Sequence, residues 1–93
     1  MINPDYTAFY KDVSRPPQDG EEFIELVWGN GPSGFEVCVI RGKHGEKDSH
    51  RPKSYTFATR DEALKAVEKH SNDARRAGFA EYKLPFVLEG KPL

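Results

Sequence analysis

Ser54 to Tyr82, SYTFATRDEALKAVEKHSNDARRAGFAEY, decides the fold: its local signals read in order as strand, capped helix, glycine stop and strand. Thr59-Arg60-Asp61-Glu62 has the S/T-x-x-E form of a capping box, in which the Thr59 hydroxyl accepts from the Glu62 amide and the Glu62 carboxylate accepts from the Thr59 N–H. The box predicts a helix over 60–77. Ala63, Leu64, Val67, His70, Ala74 and Ala77 recur at helical spacing as its apolar face, and Lys65, Glu68, Lys69, Asn72, Asp73 and Arg76 populate the other. Gly78 stands where a left-handed residue is wanted after the helix, with Arg75 and Arg76 beside the negative helix end.

Upstream, Glu21 to Trp28 alternates Glu22, Ile24, Leu26 and Trp28 with Phe23, Glu25 and Val27, and Phe35 to Arg41 alternates Phe35, Val37 and Val39 with Glu36, Cys38 and Ile40. The turn residues 29–34 between them predict a hairpin with a six-residue loop. Gly42 to Lys53 is the longest polar segment and is expected to be a surface loop between strands. Ser54 to Ala58 then leads into the helix as a strand, and Phe79 to Leu84 returns as another until Pro85, with Phe86 to Leu88 as a short edge segment. In residues 1–20, Pro4, Pro16 and Pro17 exclude a long helix. Tyr6, Phe9 and Tyr10 have i, i+3, i+4 spacing, which fits a short helical turn that either covers the core or meets a partner.

The fold expected is α+β: an antiparallel, twisted sheet of four or five strands with one long helix packed on one face. Residues 1–20 are assigned to an extended, partly ordered N-terminal segment, 21–84 to a single domain and 85–93 to a tail. A chain of 93 residues supports one modest core, burying roughly 60% of the surface its unfolded form exposes. Cys38 is the lone cysteine, so no internal disulfide can form, and with no basic-then-apolar leader a reducing, cytoplasmic setting is expected. Apolar runs fall far short of the ~18–20 residues that span a bilayer, so no membrane partner is expected.

The net charge of −1 conceals an uneven distribution. Residues 1–25 carry −4, whereas 41–53 carry +3 through Arg41, Lys43, Lys47, Arg51 and Lys53. Such a basic stretch reads as a local anion site or as a solvated loop, since an anion feels the nearby field and not the net charge. The acidic start is expected either to shield that stretch or, through its aromatics, to complete the core.

Catalytic and metal motifs are not found. Gly42-Lys43 lacks the upstream glycine and following Ser or Thr of a phosphate-binding loop. His44, His50, His70 and Cys38 lack the paired spacing of a zinc site. Cys38, on a central strand, reads as core, and His70 as a hydrogen-bonded packing residue of the inner helix face. No enzyme activity, catalytic residue, metal or cofactor is expected.

Taken in order, Phe23-Ile24-Glu25-Leu26-Val27, Gly34-Phe35-Glu36-Val37, Gly42, Gly45, Tyr55-Thr56-Phe57, Asp61-Glu62-Ala63 and Arg75-Arg76-Ala77-Gly78-Phe79 resemble the WGR domain over about residues 21–84. That module is known from DNA-dependent poly(ADP-ribose) polymerases and from bacterial proteins similar to the molybdate-metabolism regulator. Where the family has Trp-Gly-Arg, an apolar residue and glycine, this chain has Arg41-Gly42-Lys43-His44-Gly45. The resemblance implies a phosphate contact at Lys43. It does not carry over the packing of the family's tryptophan against sugar at a DNA end, because a guanidinium does not replace an indole.

The function expected is a small, non-catalytic nucleic-acid-binding module, for DNA before RNA, using Arg41, Lys43, His44, Lys47, Arg51 and Lys53, with Arg75 and Arg76 as further candidates. The alternative is a protein–protein interaction or structural domain meeting its partner through the aromatic N-terminus. A third reading is a hydrolase or redox protein built on Cys38. Trp28, at a strand end, reads as a core or edge anchor or as a stacking platform.

Overall fold

The computed structural model describes residues 5–82. Its elements run β1 (Asp5–Tyr10), β2 (Glu22–Gly31), β3 (Gly34–Lys43), β4 (Glu46–Phe57), α1 (Arg60–Arg76) and β5 (Ala80–Tyr82). The five strands form one sheet in the order β4-β3-β2-β1-β5, with every neighbouring pair antiparallel. The segment expected as an edge strand at Phe86 to Leu88, and the last two residues of the strand expected to end at Leu84, lie outside the described residues.

Three elements differ from expectation. The aromatic N-terminus is a strand and not a helical turn: β1 pairs with β2 from Asp5↔Trp28 to Tyr10↔Phe23 and with β5 from Ala8↔Tyr82 to Tyr10↔Ala80. Its side chains therefore alternate, and Ala8, Phe9 and Tyr10 are buried while Tyr6 is exposed. The six-residue loop is a two-residue turn at Pro32 and Ser33, because the ladder continues to Gly31↔Gly34. The polar stretch after Arg41 is a second hairpin, with β3 running to Lys43, a turn at His44 and Gly45, and β4 starting at Glu46. Charge and Pro52 hide β4 from a hydropathy reading, yet charges and proline are what a strand at a sheet edge tolerates.

One hydrophobic cluster joins Phe9, Ile24, Leu26, Val37 and Val39 of the sheet with Ala63, Val67 and Ala74 of the helix. Phe9, Leu26 and Val37 are its largest fully buried side chains, each worth about 1.5–3 kcal/mol in transfer from water. Ser71 is buried on the helix, whereas Leu64 and Ala77, expected on the apolar face, are exposed. A second cluster, of Ala8, Tyr10, Phe23 and Tyr82, occupies the other sheet face. Tyr10 is its hub, with ring centroids 6.0 Å from Phe23 and 5.7 Å from Tyr82. Cys38, read from the sequence as core, is half-buried on this second face, at positions opposite Val27 and Ser54.

The helix ends follow their local signals. Glu62 N–H donates to Thr59 Oγ1 at 3.2 Å and Thr59 N–H donates to Glu62 Oε1 at 3.3 Å. At the other end Gly78 N–H donates to Arg75 C=O and Phe79 N–H to Ala74 C=O, a Schellman arrangement in which Gly78 takes φ +97°.

Thr59→Ala is expected to cost about 0.5–2 kcal/mol through loss of the cap, and Gly78→Val roughly 1–2 kcal/mol through a Cβ in a left-handed residue. Denaturant titration of both variants checks them, and stability equal to that of the parent would count against the capping account. A pH prediction comes from the second face. Burial, followed by the charges of Glu25 and Glu21, pushes the Tyr10 phenol up to about 12, and burial followed by the hydrogen bond to Glu25 raises Tyr6 also. Both phenols titrate higher in the folded chain than in the unfolded one, so the stability they contribute is complete below pH ~10. It should be lost as pH climbs towards 12, which denaturant midpoints measured across that range will show.

Candidate functional site

The pairing of β3 with β4 places four side-chain pairs on one sheet face: Phe35↔Phe57, Val37↔Tyr55, Val39↔Lys53 and Arg41↔Arg51. Successive odd positions share a face in an extended strand, so this ribbon grades from aromatic to cationic along its length. Phe35, Val37, Val39, Tyr55 and Phe57 join or pack against the cluster that includes the helix. Arg41, Arg51 and Lys53 continue the same face past the apolar part.

Together with Tyr55 of β4 and His70 and Asp73 of α1, these three cations line a groove of about 500 Å³. Among the described residues, no ion pair includes Arg41, Arg51 or Lys53. Arg51 Nη1 donates instead to the Asp48 and His50 carbonyls at 2.7 and 3.0 Å, which fixes the guanidinium without neutralising it. Lys53 Nζ lies 5.6 Å from the Tyr55 ring centroid, and the His70 ring lies 5.5 Å from it at an interplanar angle of 37°. Asp73 is the groove's carboxylate, but it is already held on its own helix by Lys69 Nζ at 3.2 Å and Arg76 Nη2 at 2.8 Å. The hydrogen bond from Lys69 is the first cause of its lowered pKa. His70 is also lowered, first by burial and then by the Lys69 charge, with Arg41 and Lys53 acting in the same direction and Asp73 against it.

A smaller depression of about 290 Å³ shares Arg41 and adds Lys43, Glu22, Ile24, Ser49 and Phe79. Between the pairs Lys43↔Glu46 and Arg41↔Arg51, β4 advances five residues while β3 advances two, so the strand bulges there. Ser49 ties the bulge, accepting from Lys43 N–H at 2.8 Å and donating to Glu46 C=O at 2.6 Å. Gly42 permits the close approach: a Cβ there would sit 3.0 Å from both His50 Cα and Ser49 O.

Of the six residues singled out from sequence, the structure thus unites Arg41, Arg51 and Lys53 and sets Lys43 in the adjoining depression. Lys47 lies on the bulge, exposed and outside both linings. His44 does not join them: its Nδ1 is 3.2 Å from the Tyr10 hydroxyl, among the second cluster. Arg75 stacks 5.6 Å from the Phe9 ring centroid and approaches Glu81 at 3.7 Å, while Arg76 is bound to Asp73, so both serve the helix end. Trp28 packs against the main cluster and lines a separate cavity of about 90 Å³ with Phe35, Arg60 and Leu64, which shares no lining residue with the groove. Tyr55 and His70 are groove residues that sequence reasoning missed. The parity of Arg51, Lys53, Tyr55 and Phe57 was the available signal for the first.

No group of three or more His, Cys, Asp or Glu side chains is placed to hold a metal among the described residues, and no helix there is long and apolar enough to cross a membrane. Searches against protein-family models, curated proteins and solved structures find no match to this chain.

Like charges directly opposite on a strand pair destabilise it by a few tenths of a kcal/mol to about 1 kcal/mol, less where solvent screens them. Arg51→Thr is therefore expected to raise stability by a few tenths of a kcal/mol at low ionic strength, and added salt should shrink the gain. Urea titrations of parent and variant at two salt concentrations test this. A variant less stable than the parent at low salt would mean that the Arg51 bonds to the bulge outweigh the repulsion.

Proposed function

We propose that the protein is a non-catalytic nucleic-acid-binding module that takes the phosphate backbone in the groove of Arg41, Arg51 and Lys53, with Lys43 at its margin. The observation that carries this reading is the directly opposed pair Arg41↔Arg51, which no ion pair neutralises among the described residues. A phosphate between two guanidiniums turns their repulsion into two charge-assisted contacts, and arginine suits that geometry. Cations on β4 alone have a simpler explanation, because charged side chains guard sheet edges against pairing with other chains. Arg41 escapes it, standing on β3, an interior strand. The net charge of −1 is no obstacle, since the groove's own field acts on an approaching anion.

The resemblance to the WGR domain points the same way and favours DNA over RNA, with Lys43 in the phosphate role. The protein-partner reading has less to stand on: of the three N-terminal aromatics it would use, Phe9 and Tyr10 are buried in the sheet and Tyr6 alone is exposed. Three acidic residues of the start are engaged locally, Glu22 by Lys11 and Asp12 and Glu21 by Arg15, which makes these three poor candidates for shielding the groove.

Fluorescence anisotropy with labelled duplex DNA tests the proposal. Four neutralised phosphates give a log–log salt slope of roughly −3.6, and affinity should fall on the order of 10²-fold between 50 and 200 mM salt. Lys53→Glu should weaken binding to all sequences alike, since a lysine on phosphate reads no base. Lys47→Glu, with the same change in net charge outside the groove, should do much less. Equal effects of the two reversals, or no binding to duplex or single strands at 50 mM salt, would overturn the reading.

A further inference from the structure

Among the described residues lining the groove, His70 is the side chain whose charge changes near neutral pH. It is half-buried, with its ring against Tyr55, and is faced by Arg41 of β3, by Arg51, Lys53 and Tyr55 of β4, and by Lys69 and Asp73 of its own helix. Nearly every charge it meets is positive, and the carboxylate of Asp73 is occupied by Lys69 and Arg76. The charged form of an imidazole in this place is disfavoured while the groove is empty, first by burial and then by the surrounding cations.

We propose that His70 is a conditional phosphate ligand: a nucleic-acid phosphate in the groove draws a proton onto its imidazole, so that binding and proton uptake are coupled. The inference rests on the reading given under Proposed function. A bound phosphate offsets Arg41 and Lys53, two of the charges that disfavour imidazolium, and adds an opposite charge that favours it. The direction of the linkage follows. The pKa of His70 lies below its ordinary 6.5 in the free protein and is higher in the complex. The extra affinity is therefore complete below the free-state pKa, declines as pH rises through the bound-state pKa, and is absent above it. The site would grip its ligand more firmly under mildly acidic conditions, with a fourth cation in the main groove.

Anisotropy titrations of the full chain with one DNA duplex at pH 5.5 and pH 8, over a range of salt, provide the test. For the parent protein, affinity should rise roughly tenfold from the higher pH to the lower, one pKa unit of linkage being one decade. Its salt slope should also steepen by about 0.9, one further phosphate contact. His70→Gln should lose both changes. His50→Gln, altering a histidine whose ring meets Phe23 and not the groove, should keep them. In parallel, NMR titration of the imidazole protons in the unaltered protein should place the His70 pKa higher with saturating duplex than without it, which decides the matter even if His70→Gln folds poorly. Binding at pH 8 with the expected salt slope, but with the same pH response in His70→Gln or with a His70 pKa that stays or falls on saturation, overturns this inference alone. No binding at either pH overturns the proposed function and this inference with it.

Discussion

The pairing of β3 on both edges is the constraint on which the rest depends. Val37 sits between Trp28 of β2 and Tyr55 of β4, Val39 between Leu26 and Lys53, and Arg41 between Ile24 and Arg51. A slip of one residue would turn every side chain of a strand to the other face, and burying Val37 and Val39 in the cluster with the helix forbids that slip. The apolar pairs therefore determine where the cations go. Arg41, Arg51 and Lys53 stand together because the valines and aromatics further along the same strands must face the core.

That arrangement places the charges where the fold gains least from them. Directly opposed arginines weaken the ladder, and the bonds from Arg51 Nη1 to the bulge carbonyls supply no negative charge. Asp73, a carboxylate lining the groove, is bound to two cations of its own helix. Stability is elsewhere: in the cluster around Leu26 and Val37, in the second cluster around Tyr10, and in the helix caps. A fold with two apolar faces to its sheet can tolerate one repulsive corner.

The second face also gives the N-terminal segment its role. The 11–21 connection closes against the β3–β4 turn, with Gly20 N–H donating to His44 C=O and His44 N–H to Glu21 C=O, both at 2.8 Å. Tyr10 reaches His44 from the same side. The hairpin that carries the cations is thus braced by the chain's start, and β1 is an interior strand with partners on both edges. Such a strand is structural before it is anything else, which is why Phe9 and Tyr10 are buried while Tyr6 stays exposed.

What the sequence determined by itself was local. The helix, its capping box and its glycine stop depend on residues within three to five positions of one another, so Thr59, Glu62 and Gly78 could be read without knowing what surrounds them. The β2–β3 hairpin was legible from its alternation, and the basic stretch from its composition. Only the tertiary structure decided that 5–10 is a strand, since its partners Glu22–Gly31 and Ala80–Tyr82 are distant in sequence and three aromatics fit a helical spacing as well as an extended one. It alone decided which cations meet. Composition could not separate Arg41, Arg51 and Lys53 from His44 and Lys47, because the choice follows from the parity of positions along two paired strands and from a bulge that shifts one against the other. His70 and Tyr55 entered the groove for the same reason: side chains fifteen residues apart in sequence were brought together by the packing of helix and sheet against a shared core.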